Sequence, residues 1–118
     1  MVVKRVVANF TTDSPSATAA FYRTLLELDV AMDQGWIVTL ASDEVARAQL
    51  SLASDGGSGT PVPDVSIEVD DLEQAIGRAR AMQLVFEYGP VSEPWGVRRF
   101  YVRDPDGKLL NILSHEDG

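Results

Sequence analysis

Apolar positions along this chain recur with a strand period, change to a helix period and change back, and they do so twice. The stretch VKRVVANF at 3–10 is β-branched and apolar and predicts a strand. Thr12, Asp13, Ser14 and Pro15 follow, a capping side chain and then a proline whose fixed φ suits a first helical turn. From Ser16 to Leu28 the apolar residues Ala20, Phe21, Leu25 and Leu28 fall at helical spacing, which predicts an amphipathic helix. Three short strands are then expected: Val30 to Asp33, Trp36 to Ala41 after a turn at Gln34 and Gly35, and Ala46 to Ala53.

SDGGSGT, Ser54 to Thr60, interrupts the pattern with three glycines and two serines, and reads as a flexible joint. Beyond it the order starts again. Asp64 to Val69 predicts a strand. Asp70, Asp71 and Glu73 put acid at the positive end of a helix from Leu72 to Met82, whose apolar face is Leu72, Ala75, Ile76 and Ala79. Leu84 to Tyr88 is expected as a strand. Gly96 to Arg103 and Lys108 to Leu113 form a final pair around the turn Asp104, Pro105, Asp106, Gly107.

The result is one domain, 1–118, of class α+β. It is built from a βαβββ module at 3–53, a Gly-rich linker at 54–61 and a second βαβββ module at 62–115. One such unit is too small to bury both faces of its sheet, so two are expected to pair as curved sheets around a cup, with the helices outside. A concave face of that kind is where ligands bind.

Composition narrows the chemistry. With no cysteine, disulfides, thiolate metal sites and cysteine nucleophiles are all removed, which suits a cytoplasmic protein. The net charge of −8 argues against nucleic acid, whose phosphates need lysine and arginine. No apolar run approaches the roughly 18 residues of a membrane span. No GxSxG elbow, Walker loop, HExxH or dinucleotide glycine fingerprint is present.

The repeated order, the helix end FYRTLLEL and above all PWG followed by RDPDGKLLNI resemble the vicinal-oxygen-chelate superfamily, the glyoxalase, bleomycin-resistance and extradiol-dioxygenase group. The last motif is most similar to the bleomycin-resistance branch. The resemblance implies a divalent metal held in the cup by His, Glu or Gln from four strands. By local context its ligand positions fall on Val6, Gln49, Asp64 and Asn111. Valine has no lone pair to give, and Asn and Gln offer only neutral carbonyls, so no metal and no cofactor is expected. His115, the single histidine, is read as a solvated residue past the last strand.

Taken as cup-facing, those positions group Val6, Ala8 and Phe10 with Gln49 and Ser51, and Asp64, Ser66 and Glu68 with Asn111 and Leu113. Family geometry points Arg99, Tyr101 and Arg103 inward, and Phe100 and Val102 under the helices. Arg99 is then within reach of Glu68 or Asp64 as an ion-pair partner. Trp95, between Pro94 and Gly96, and Trp36, after Gly35, are loop tryptophans that must pack on something: their own domain, a partner copy or a planar ligand.

The function expected is a metal-free small-molecule-binding protein of the drug- or antibiotic-sequestering resistance type, a homodimer that takes a planar, cationic ligand. Its expected ligand-binding residues are Phe10, Trp36, Gln49, Asp64, Glu68, Trp95, Arg99, Tyr101 and Asn111. The alternatives are a lyase or isomerase, metal-independent or with a metal site assigned to the wrong residues, and a non-catalytic interaction module.

Overall fold

The repeat in the pattern is a repeat of topology. The structure, a computed structural model, describes residues 1–26, 28–41, 49–105 and 107–116, with the side chains of residues 22, 25 and 26 outside that description. The elements run β1 (Val3–Thr11), α1 (Pro15–Leu26), β2 (Asp29–Asp33), β3 (Ile37–Ala41), β4 (Gln49–Ala53), β5 (Val65–Val69), α2 (Leu72–Ala81), β6 (Tyr88–Ser92), β7 (Val97–Arg103) and β8 (Leu109–His115). The chain divides into two compact units. Val7–Val62 makes one, and Pro63–Gly118 together with Met1–Val6 makes the other.

In the N-terminal unit the hydrogen-bonded order is β2-β3-β4-β1. In the C-terminal unit it is β5-β8-β7-β6. Within each unit the first strand pairs parallel with the fourth, and the other pairings are antiparallel. The α+β class and the βαβββ order expected from sequence are therefore present in both units.

α1 begins at Pro15, where proline loses nothing by lacking an N–H. The Thr12 hydroxyl accepts from the Ser14 N–H at 3.2 Å and is 2.8 Å from the Thr18 hydroxyl, which fixes the entry to the helix. Ala19 from this helix packs on Val38, Leu40 and Leu52, with Leu28 and Leu50 at the margin. Leu40 and Leu52 have no exposed surface, and burying each contributes about 1.5–3 kcal/mol. On the opposite side of the same strands the Thr39 and Ser51 hydroxyls meet at 2.7 Å. The third strand expected in this module starts at Ala46, and its residues before Gln49 lie outside the described residues, as does Asp106 of the expected turn.

In the C-terminal unit Asp71 is the N-cap of α2, its Oδ1 accepting from the Gln74 N–H at 3.1 Å. Asp70 does something else: it accepts from the Val2 N–H at 2.8 Å and ties the chain start to this unit. Leu72, Ala75, Ile76 and Ala79 are buried, as the helical spacing predicts. They pack on Val69, Phe100 and Val102, so Phe100 and Val102 do lie under the helix.

Three expectations need correction. The strand expected at Leu84–Tyr88 is found at Tyr88–Ser92. Pro90 lies inside it, and proline is tolerated there because β6 is the edge strand of its unit. Its neighbour Gly89 sits at φ 74°, where an added Cβ would come 2.5 Å from the Arg99 carbonyl oxygen, so this position admits only glycine. The SDGGSGT stretch is a hydrogen-bonded turn and not a loose joint. Gly56 N–H donates to the Thr60 carbonyl at 2.9 Å and Thr60 N–H to the Gly57 carbonyl at 3.0 Å, with 57, 58 and 59 all at positive φ. His115, expected past the last strand, is the last residue of β8.

Candidate functional site

Alternation on β7 and β8 decides what the C-terminal unit shows on the side away from α2. Phe100 and Val102 go under the helix, so Arg99 and Tyr101 go the other way. Across the ladder Tyr101 is opposite Asn111 on one side and Tyr88 on the other, and Arg99 is opposite Leu113 and Val91. Ser66 and Glu68 of β5 are paired with Asn111 and Leu113 and complete the face.

Arg99 is the centre of this face. Its side chain is 3% exposed, as is that of Glu93, which meets it through two contacts: Nε to Oε2 at 2.8 Å and Nη2 to Oε2 at 2.6 Å. Nη1 donates to the Tyr101 hydroxyl at 3.0 Å, and the Tyr88 hydroxyl donates to both Glu93 oxygens at 3.0 and 3.1 Å. The guanidinium carbon also lies 5.0 Å from the ring centroids of Trp95 and Tyr101 and 5.2 Å from that of Tyr88. A planar cation suits this setting, since it bonds in its plane and meets rings with its faces. Trp95 is half-buried, so the network reaches the surface at that ring.

Glu68 and Asp64, the partners that the sequence offers for Arg99, are both engaged elsewhere. Asp64 Oδ2 accepts from the Leu109 N–H at 2.7 Å, closing the start of the β5–β8 ladder. Glu68 is held by Arg5 Nε at 2.7 Å, Lys4 Nζ at 3.7 Å and His115 Nδ1 at 3.1 Å. Burial pushes the Glu68 carboxyl pKa up. The hydrogen bond from His115 and the charges of Arg5, His115 and Lys4 outweigh burial and hold it below the usual carboxylate value.

That shift sets a pH dependence. A folded-state pKa below the unfolded one means that Glu68 stabilises the fold at pH above about 4.5, and that this contribution is lost as pH falls through the depressed value. Glu68→Gln is expected to lower the urea midpoint at neutral pH. The gap between variant and parent should narrow as pH falls below about 4.5 and close once pH passes below the depressed value. A gap of constant size down to acid pH would mean that the ion pairs contribute nothing.

Asn111 donates through Nδ2 to the Ser66 hydroxyl at 3.1 Å, while its Oδ1 is buried without a hydrogen-bond partner. Asp64, Glu68, Trp95, Arg99, Tyr101 and Asn111 thus all belong to the C-terminal unit. Glu93 and Tyr88 join them, and no spacing rule singles out either. Phe10, Trp36 and Gln49 belong to the N-terminal unit. There the register separates two of them. Ala8 pairs with Leu50 and Phe10 with Leu52, so Phe10 stands on the side of the α1-packed leucines, whereas Asn9 stands with Ser51. Gln49 shares the Ser51 side and is half-buried, and Phe10 is 48% exposed. The expected grouping of Phe10 with Gln49 is a one-residue slip, which moves a side chain to the other face. Trp36 precedes β3 and is half-buried, its carbonyl accepting from the Ser54 N–H at 3.0 Å.

The sequence profile of the Glyoxalase/Bleomycin resistance protein/Dioxygenase superfamily matches residues 4–112, and the chain belongs to that superfamily. No curated protein matches it. Among solved structures it is similar to a superfamily member from Vibrio splendidus 12B01, 21% identical, TM-score 0.65, covering 97% of this chain and 99% of that one. It is also similar to a methylmalonyl-CoA epimerase from Mycobacterium tuberculosis, at 15% identity and TM-score 0.67, with 96% and 89% covered. A protein described as NAD-dependent benzaldehyde dehydrogenase from Legionella pneumophila has 16% identity and TM-score 0.76, with 95% and 100% covered. At these identities the likeness is one of fold.

The metal that the family resemblance implies does not fit the residues at its four positions. By alternation Val6 stands on the Phe10 side of β1 and has no donor atom in any case, Gln49 and Asn111 are neutral, and one oxygen of Asp64 is already bonded to the Leu109 N–H. Among the described residues no group of three or more His, Cys, Asp or Glu stands together. No helix among them is long and apolar enough to cross a membrane.

Proposed function

We propose that this chain is a metal-free binder of a small organic molecule, of the drug- or antibiotic-sequestering type, and that Trp95 is the wall the ligand meets. The observation that carries this reading is Trp95 itself. Its ring is half-buried with the Arg99 guanidinium 5.0 Å from its centroid, and Glu93 and Tyr101 fix that guanidinium in place. A ring held in one orientation binds a planar molecule at little cost in side-chain ordering.

The carboxylates on this face favour binding over proton transfer. A general base needs a pKa near the working pH and a lone pair directed at substrate. Glu68 is held below the ordinary carboxylate value by Arg5, Lys4 and its bond to His115, and Glu93 is enclosed by Arg99 and Tyr88. The action is therefore stoichiometric: the ligand is held and no bond changes. The same reading has a homodimer, in which a second copy covers exposed apolar side chains such as Val3, Val6 and Phe21.

Equilibrium dialysis of a planar drug panel, with the ligand recovered and weighed by mass spectrometry, tests this. Saturable binding at about one ligand per chain, full recovery of unchanged ligand, and at least about tenfold weaker binding by a folded Trp95→Ala variant are expected. Conversion of a ligand to product would move the protein among the isomerases and lyases of its superfamily.

A further inference from the structure

We infer that the ligand part stacked at Trp95 is an uncharged planar ring, and that the site discriminates against both cationic and anionic planar molecules. This rests on the binding reading above and replaces the planar cation expected from sequence. The charge already in place around Trp95 sets this preference. Trp95, Tyr88 and Tyr101 each have the same guanidinium within 5.0 to 5.2 Å of the ring centroid. A ring attracts a cation through its negative face. A second cation would have to share a π-system that already faces the Arg99 guanidinium, so these rings have little cation attraction left to offer.

An anion fares no better. The charge of Arg99 is answered by Glu93, both side chains being 3% exposed, so an anionic ligand reaches a guanidinium that is already neutralised. Drawing Arg99 away from Glu93 would leave a buried carboxylate without its cation. Glu68, the other buried carboxylate of the face, is likewise matched by Arg5, Lys4 and His115 and offers no unanswered charge to a cationic ligand. What remains is stacking and dispersion, to which net charge adds nothing.

Three planar probes of one shape test this: acridone, neutral; 9-aminoacridine, cationic; and acridine-9-carboxylate, anionic. Each is titrated into the full chain at low and high salt. Acridone is expected to bind at least about tenfold more tightly than either charged probe, with an affinity that does not change with salt. The double variant Glu93→Leu with Arg99→Met removes the resident cation and its counter-charge together. In it, if circular dichroism shows a folded chain, 9-aminoacridine should gain on acridone by about tenfold. Tightest binding of 9-aminoacridine or acridine-9-carboxylate by the parent protein would overturn the inference while leaving the binding reading intact. An unchanged probe ranking in the folded double variant would also overturn it. Binding of none of the three would sink both.

Discussion

Arg99→Ala is expected to lower the unfolding free energy by about 3–5 kcal/mol. The cost comes from what stays behind. Glu93 would remain buried without its cation, and the Tyr101 hydroxyl would lose a charged donor. Glu93→Ala should cost a similar amount by stranding the guanidinium. Glu93→Leu with Arg99→Met should recover most of either loss, because a buried ion pair replaced by apolar groups of like volume is often neutral. Urea unfolding of the two singles and the double gives the coupling directly. Single variants within about 0.5 kcal/mol of the parent would mean that the pair is solvated, and the buried network described above would be wrong.

Phe100→Ala is expected to cost about 3–5 kcal/mol for a different reason. Phe100 is 2% exposed at the centre of the cluster beneath α2, among Val69, Leu72, Ala75, Ile76, Ala79 and Val102. Its ring meets Phe86 edge-on, with centroids 5.2 Å apart and planes at 83°. Such a pair adds about 0.5–1.5 kcal/mol beyond the area it buries. The strands on either side are pinned by their own ladders, so the space left by the ring cannot collapse fully. Phe100→Leu, which keeps most of the volume, should cost clearly less. Losses within about 0.5 kcal/mol for both variants would place Phe100 at the surface.

These two neighbours also show what is legible in the sequence. Phe100 and Arg99 are adjacent, so strand alternation must send them to opposite faces, and the apolar stripe of α2 says which face the helix covers. That much follows from periods of two and 3.6. The partner of Arg99 does not follow. Glu93 belongs to the turn before Trp95, and only the β6–β7 hairpin brings it over Arg99. No spacing rule selects it above Glu68 or Asp64. The one available signal is that a buried guanidinium needs a carboxylate, and that Glu93 is the first acid preceding it along the chain.

Pro90 makes the strand look finished at Tyr88, whereas β6 begins there. Phe10 shows a third kind of miss. The β-branched run before the helix start locates β1, yet face is decided by register to a single residue, and local sequence context does not carry that. His115 looks solvated because it is near the chain end. Its role comes from Glu68, 47 residues earlier in sequence and brought to it through β5 and β8.

The most direct test of the central claim uses Trp95 as its own reporter. In a Trp36→Phe variant, whose bond to Ser54 uses a main-chain carbonyl and so survives the change, all indole emission comes from Trp95. The account predicts a saturable change in that emission on titration with a planar ligand, the same with or without added Zn, Ni, Mn or Fe(II). A response that appears only when metal is added would contradict it, because the ligand would then be held by a metal centre that Gln49, Asp64 and Asn111 do not supply.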